Sequence, residues 1–337
     1  MEITAKILAH STTNEYGGIE LITVELTYPR IVHSEFLTHR AFSRAAASSR
    51  AIPFAKMEQQ LEGMPTEFGR NQSGMQSAGE HNALIRVKMP ELVGKAFPDE
   101  GGEAVDMYVM QEYDFTPEEA WESSKIDAVK WSKAFCEAGY HKQNYNRLTE
   151  PYQMIKVVVT ATEWDNFFWL RDHEAADPTL STLATKMRQA IAMSTPKVLE
   201  YGQWHLPYVD VPEGHNWSDE EATGNLIKMS VARCAAVSFR NEDYDLEKSL
   251  DVFARLIGSD RKHASALEHI ATPIRPAGYY SSEETISGTQ RVNHSFIPFT
   301  WDNGITHVGR DGVLWSGNFK GWLQFRQTMK DHTYYAK

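Results

Sequence analysis

The chain has 337 residues, a formal net charge of −11 at pH 7 and two cysteines, Cys136 and Cys234. That length allows one large domain or two. The acidic balance argues against sequence-independent nucleic-acid binding, which needs an extended basic surface, and two cysteines make no disulfide framework. No apolar run approaches the roughly 18 residues of a membrane helix. The opening MEITAKILAH lacks the basic start and apolar run of a secretory signal, so the expected location is the cytoplasm.

Residues 2–10 and 19–28 alternate apolar and polar side chains around the turn-like cluster Asn14–Gly18, which predicts a β-hairpin. Pro29 ends the second strand. Ile31 to about Ala47 then reads as a helix rich in good formers. Residues 58–115 scatter Gly, Gln, Asn, Met and Pro, with FGRNQSGM at 68–75, and read as a loop-rich insertion or lid. Thr116-Pro-Glu-Glu119 is a capping box with proline at the first helical position. The helix it opens turns Trp121, Ala128, Trp131 and Phe135 inward and stops at Gly139. MIKVVVTAT at 154–162 has the β-branched run of a buried strand. Asp177-Pro178 opens a helix with Leu180, Leu183, Ala184, Met187 and Ile191 on one stripe. Ser218 to Glu221 caps a further helix running toward Ser238, and Leu246, Leu250, Phe253 and Ile257 mark another that ends at Gly258. The order predicts one mixed α/β domain with an antiparallel component over 1–337.

Four segments concentrate polar chemistry. THRAFSRAAASSRAIP, 38–53, sets Arg40, Arg44 and Arg50 among alanines and serines. On a helix Arg40 and Arg44 share a face. Guanidinium forks, hydroxyls and an approachable backbone suit a phosphate or carboxylate, while a solvated basic helix face is the plainer reading. HKQNYNRLTEP, 141–151, is dense in donors, as ligand-binding loops are, although lysine and histidine also cap helix ends. In TATEWDNFFWLRDH, 160–173, Asn166 and Arg171 interrupt an aromatic run whose Trp164, Phe167, Phe168 and Trp169 read as core. A buried Arg171 needs an anionic or polar partner. RKHASALEHIATP, 261–273, reads as a helix-to-strand corner. Without HExxH or CxxC it predicts no metal site. GxGxxG, the P-loop and GxSxG are all absent.

Taken together, these segments resemble the flavin-dependent thymidylate synthases of the ThyX type. That family's signature is Arg-His-Arg followed after seven residues by Ser. Here Thr38-His39-Arg40 is followed after seven by Ser48. EFLTHR resembles the family's helix into the motif, and NRLTEP and TATEWDNFFWLRDHEA resemble its C-terminal half. ARCAAVSF, 232–239, and HASALEH, 263–269, resemble its N-terminal half, so the segment order is that of a circular permutation. Ser316-Gly-Asn-Phe-Lys-Gly-Trp322 is similar to a segment of a longer phage and bacterial variant with THR in place of RHR.

The resemblance implies an α/β (α+β) fold, a mixed or antiparallel sheet packed with helices, in a homotetramer with active sites between subunits. It implies methylation of dUMP at C5, with FAD as carrier and with NADPH and methylenetetrahydrofolate as co-substrates. Arg171 would be catalytic, holding the pyrimidine and favouring negative charge at N3 and O2. Ser48, Ser49, Arg50 and Arg147 would bind the nucleotide, mainly its phosphate, with Glu35 nearby. His39, Arg40, Asn166, Ser238, His263 and Ser265 would line the flavin site. Neither a membrane nor a nucleic acid is an expected partner. Ala45, Ala46, Asp177, Ala236 and Ala266-Leu267 depart from the family pattern. They leave open another pyrimidine such as dCMP, read by Glu35 or Asp177, a hydroxymethyl product, or a nucleotide-binding homologue without activity.

Overall fold

The computed structural model describes residues 2–96, 103–238, 244–258, 262–275 and 303–333. The hairpin expected at the start is there: β1 (Thr4–Thr12) pairs antiparallel with β2 (Glu20–Pro29), with a register shift between Ile7 and Ala9. A 3-10 turn leads into the short α1 (His33–Leu37), and β3 (Ser43–Ala46) follows. The helix expected over residues 31–47 therefore stops at Leu37. Its second half pairs with a buried strand instead, because tertiary pairing overrides the local helix preference of Ala and Arg. Arg40 and Arg44 consequently share no helix face.

Beyond α2 (Phe54–Glu58), residues 59–84 carry no named helix or strand. Then β4 (Ile85–Ala96) and β5 (Val105–Phe115) form a long antiparallel ribbon inside the stretch expected to be loop-rich. VDMYVMQEYDF holds the β-branched and aromatic residues Val105, Tyr108, Val109, Tyr113 and Phe115, which favour a strand. The capping box at Thr116 is formed, and α3 runs Pro117–Glu137. On it Trp131 and Phe135 are exposed rather than inward. After α4 (Lys142–Tyr145) and a 3-10 segment comes β6 (Met154–Ala161), buried as its composition predicts. Next are α5 (Asp165–Arg171), α6 (Pro178–Ala192), β7 (Lys197–Val198), α7 (Glu220–Ala235) and α8 (Leu246–Ile257). Asp219, not Ser218, caps α7. The chain continues with β8 (Ala271–Pro273), β9 (His307–Val308), β10 (Leu314–Ser316), β11 (Phe319–Lys320), β12 (Trp322–Gln324) and α9 (Phe325–Thr328).

The main sheet has the order β3-β6-β2-β1-β7 and is antiparallel except at β1–β7. One face carries Val24, Leu26, Val157 and Val159 into a core shared with Phe36, Phe167 and the α6 stripe Leu180, Leu183, Ala184 and Met187. The other face packs Ala45 and Val158 against Val231 and Cys234 of α7, Phe253 of α8, and Leu267. Helices on both faces explain why β2 is buried almost end to end. The fold is α+β. Among the described residues no helix is long and apolar enough to cross a membrane.

Candidate functional site

His39 and Arg171 lie 132 residues apart in sequence and meet in space. Arg171 closes α5 and donates from Nε to Nε2 of His39 at 3.0 Å, with a longer contact from Nη2 to Thr38 Oγ1 at 3.5 Å. The His39 ring is buried and packs edge-on to Phe167, centroids 4.9 Å apart. Burial, then the Arg171 and Arg44 charges, push His39 down to about 4. It is thus neutral at pH 7 and accepts the guanidinium N–H, which fixes its own proton on Nδ1.

Around this pair lies an open cleft of about 220 Å³, with Arg40, Asn166, Glu163, Phe167 and Leu170 in its lining. Arg40 and Asn166 are solvent-exposed. The structure thus brings together Arg171, His39, Arg40 and Asn166, all four expected at one site. Trp169, expected in the core, is 75% exposed.

The loop carrying His39 and Arg40 is braced from three sides. Arg44 donates from Nη1 to the carbonyls of Leu37 at 2.8 Å and His39 at 3.2 Å, so it closes the end of α1 rather than facing a ligand. Asn318, from the SGNFKGW segment, donates from Nδ2 to the Ala41 carbonyl and accepts from Ser43 Oγ. Gln324 donates to the same Ser43 hydroxyl. The SGNFKGW segment stands out in the sequence, but the reach of Asn318 to the loop does not, because the contact spans 277 residues and has no local signal.

A second cluster forms at the turn Ser48–Ala51, just beyond β3. Fully buried Asn146 donates from Nδ2 to the carbonyls of Ser49 at 2.7 Å and Ile52 at 2.9 Å. Lys142 caps the Ala51 carbonyl at 2.9 Å. The 141–151 segment therefore builds the floor under this turn. Ser49 is buried and donates its hydroxyl to Glu150 at 2.7 Å, and Arg30 bridges the same carboxylate at 3.1 Å. Ser49 accordingly holds the wall together rather than presenting a free hydroxyl. Arg50 and Arg147 are exposed and have no ion pair among the described residues. Burial pulls Arg30 below its usual range despite Glu150, with Arg147 adding repulsion. Neighbouring His33 is pushed down to about 4 by burial, then by Arg30 and Arg44. This surplus of positive charge suits a phosphate. Arg30 and His33 do not stand out in the sequence, and Glu150 lies in the NRLTEP string with no role assigned to it there.

Other expected residues stand apart. Glu35 is exposed on α1 and accepts from Ser34 Oγ at 3.0 Å. His263 and Ser265 are exposed at the corner before β8, and no contact joins them to Arg171 among the described residues. The Ser238 side chain lies outside the described residues. Asp177 caps α6, accepting from the Thr179 and Leu180 amides, so its carboxylate is committed to the helix. A larger cleft of about 360 Å³ shares Glu163 and adds Glu20, Asp165 and Lys320. Its three carboxylates make it the poorer host for an anion. No protein-family model and no curated protein matches the chain.

Proposed function

We propose that the protein binds a pyrimidine deoxynucleotide and methylates it at C5 as a flavin-dependent thymidylate synthase of the ThyX type, with dUMP as substrate, NADPH as reductant and methylenetetrahydrofolate as one-carbon donor. The observation that carries this reading is the meeting of Arg171 with His39, Arg40 and Asn166 around one cleft. The cationic turn at Ser48–Arg50, reached from that cleft along β3, supports it. The resemblance assigns these two groups to one active site, and one short strand links them.

The donor set suits a flavin dinucleotide. An exposed guanidinium at Arg40 matches a diphosphate. The Asn166 amide offers a donor and an acceptor to a ring edge, and Phe167 and Leu170 supply apolar surface. A cleft of about 220 Å³ takes a ring system, not a whole dinucleotide, so the rest would lie along the open side or against another subunit of the proposed homotetramer. When bound, the flavin would supply the reducing equivalents that the transfer needs.

The chain's own part is binding and polarisation. Arg171 keeps a guanidinium edge free of contacts among the described residues, since only its Nε and Nη2 are engaged. That edge would stabilise negative charge at O2 and N3 of the pyrimidine and make C5 nucleophilic. Neutral His39 is the positioning residue, because it fixes the guanidinium plane without adding a competing charge. Arg50 and Arg147 would hold the phosphate. Asp177 is committed to helix capping, which removes it as a reader of a cytosine amino group.

The visible spectrum of the purified protein supplied with FAD, then titrated with dUMP and with dCMP, tests the reading. A retained flavin band that shifts with dUMP supports it. A shift with dCMP alone moves the substrate to cytosine. A protein that retains no FAD removes the flavoenzyme reading.

A further inference from the structure

The hairpin β10–β11 reaches the cleft's loop across 277 residues of sequence. Ser316 pairs with Phe319, which leaves Gly317 and Asn318 as a two-residue turn. Gly317 sits at φ +61, and a β-carbon there would meet Gln324 Oε1 at 2.6 Å. Glycine is therefore required beside Asn318 on both counts. Phe319 is fully buried, and the Lys320 amide donates to Thr162 Oγ1 at 3.1 Å. The tip is thus anchored by its own next residues, and Asn318, half-buried, turns toward the loop.

We propose that Asn318 is a second positioning residue, which clamps the Ala41 carbonyl and so fixes the backbone that carries Arg40 into the cleft. The place of the clamp is the first support. His39 and Phe42 are buried anchors, while Arg40 and Ala41 between them are exposed. Ala41 itself lines the cleft. Among the described residues, the bond from Asn318 Nδ2 at 2.9 Å alone ties Arg40 or Ala41 backbone to a distant part of the chain. The second support is the direction of the hydrogen bonds behind it. Gln324, buried on β12, donates from Nε2 to the Glu268 carbonyl at 3.0 Å and to Ser43 Oγ at 3.1 Å. Buried Ser43 then gives its one proton to Asn318 Oδ1 at 3.0 Å. Both ends of this chain, Glu268 and Ala41, are backbone carbonyls that can only accept, so every donor is assigned. Position 318 must therefore offer an acceptor to Ser43 and a donor to Ala41. Asparagine does so, whereas aspartate, its equal in shape, sets a carboxylate oxygen against the Ala41 carbonyl.

Glu268 belongs to the corner that carries Ser265. Gln324, Ser43 and Asn318 thus join that corner to the Arg40 loop, two segments that the resemblance assigns to one flavin site. The scale of the effect follows from the clamp. A loosened loop can weaken a ligand by no more than the clamp is worth, and one neutral hydrogen bond is worth about two- to tenfold in an equilibrium. The effect on a flavin rests on the proposed function, while the clamp itself does not.

Hydrogen–deuterium exchange of the full chain without ligand, read by mass spectrometry on peptides spanning residues 37–43, tests the clamp. The amides of His39 and Phe42 donate to the Phe36 and His39 carbonyls within this loop. They should exchange several-fold faster in Asn318→Ala, and at least as fast in Asn318→Asp, while peptides from β6 match wild type. Unchanged loop exchange in both variants overturns the proposal. So does equal acceleration through β6, which would make Asn318 a support of the sheet alone. If Asn318→Ala loses its fold by circular dichroism, Asn318→Asp carries the exchange comparison, because it keeps its acceptor for Ser43. The second measurement is the affinity for added FAD in a double-mutant cycle. Asn318→Ala should weaken FAD about two- to tenfold, and should weaken it no further when Arg40→Ala is already present. Losses that add in the double variant overturn the positioning role. A wild type that retains no FAD removes the flavoenzyme reading, and loop exchange alone then upholds or overturns the clamp.

Discussion

Arg171 is half-exposed and engages neighbours through only part of its guanidinium. Its replacement should therefore spare the fold. Under the proposed activity, Arg171→Ala lowers kcat/KM for dUMP by at least ~100-fold, the usual scale for one donor aimed at developing charge. Its thermal midpoint should stay within a few degrees of wild type. Undiminished methyl transfer would take Arg171 out of its role. Arg50 is exposed and free of ion pairs among the described residues. Arg50→Ala should weaken nucleotide binding about tenfold, the loss of one charge-assisted hydrogen bond, and leave retained FAD unchanged. Equal loss of flavin and nucleotide would mean that the phosphate sits elsewhere. Residues of this kind were legible because they sit in short, unusual strings. Arg30 and His33 were not, since only the fold sets them beside Glu150 and Arg44.

Between residues and the whole lies the turn Ser48–Ala51, whose shape depends on Asn146. Removing that side chain strands two carbonyls inside a buried pocket. Asn146→Ala is expected to cost about 2–4 kcal/mol, two donor losses at a buried site, read as a lower denaturation midpoint. It should also weaken the nucleotide more than Arg50→Ala does, because the whole turn relaxes. Wild-type stability in that variant would show that the turn holds itself. Elements with local signals were readable in the sequence: the first hairpin, α3 behind its capping box, β6, α6 with its stripe, and α8. Residues 38–47 misled because alanine favours a helix locally, while β3 gains a ladder on β6 and burial of Ala45 and Ala47. The ribbon was missed because exposed apolar residues fall on both of its faces, Leu92, Tyr108 and Met110 on one and Val87, Met107 and Val109 on the other, so no alternation marks it.

Among the described residues five histidines are held below their usual value of 6.5, His33 and His39 at about 4, His205 and His269 at about 3, and His332 also lowered, with burial the leading cause in each. An unfolded chain takes up these protons from about pH 6.5 downward, and the folded one does not. Stability should thus be fully present above pH 6.5 and fall on acidification toward pH 4 and below. The slope approaches about 1.4 kcal/mol per pH unit for each fully buried histidine. Denaturation midpoints from pH 8 to 4 check this, and a flat profile would mean that the rings gain protons in the fold. His205 and His269 also belong to one row: Ser11, His205, Thr23, Thr160 and His269 are joined by side-chain contacts of 2.7–2.8 Å that cross β1, β2 and β6. Each hydroxyl has a single proton to give. If His205 donates from Nε2, Thr23 must give to Thr160 and Thr160 to Nδ1 of His269, whose own proton then sits on Nε2. Reversing any one bond reverses them all and moves both protons to Nδ1. Two rings 64 residues apart in the chain are therefore obliged to adopt the same tautomer, and the sheet between them carries a direction that no backbone trace reveals.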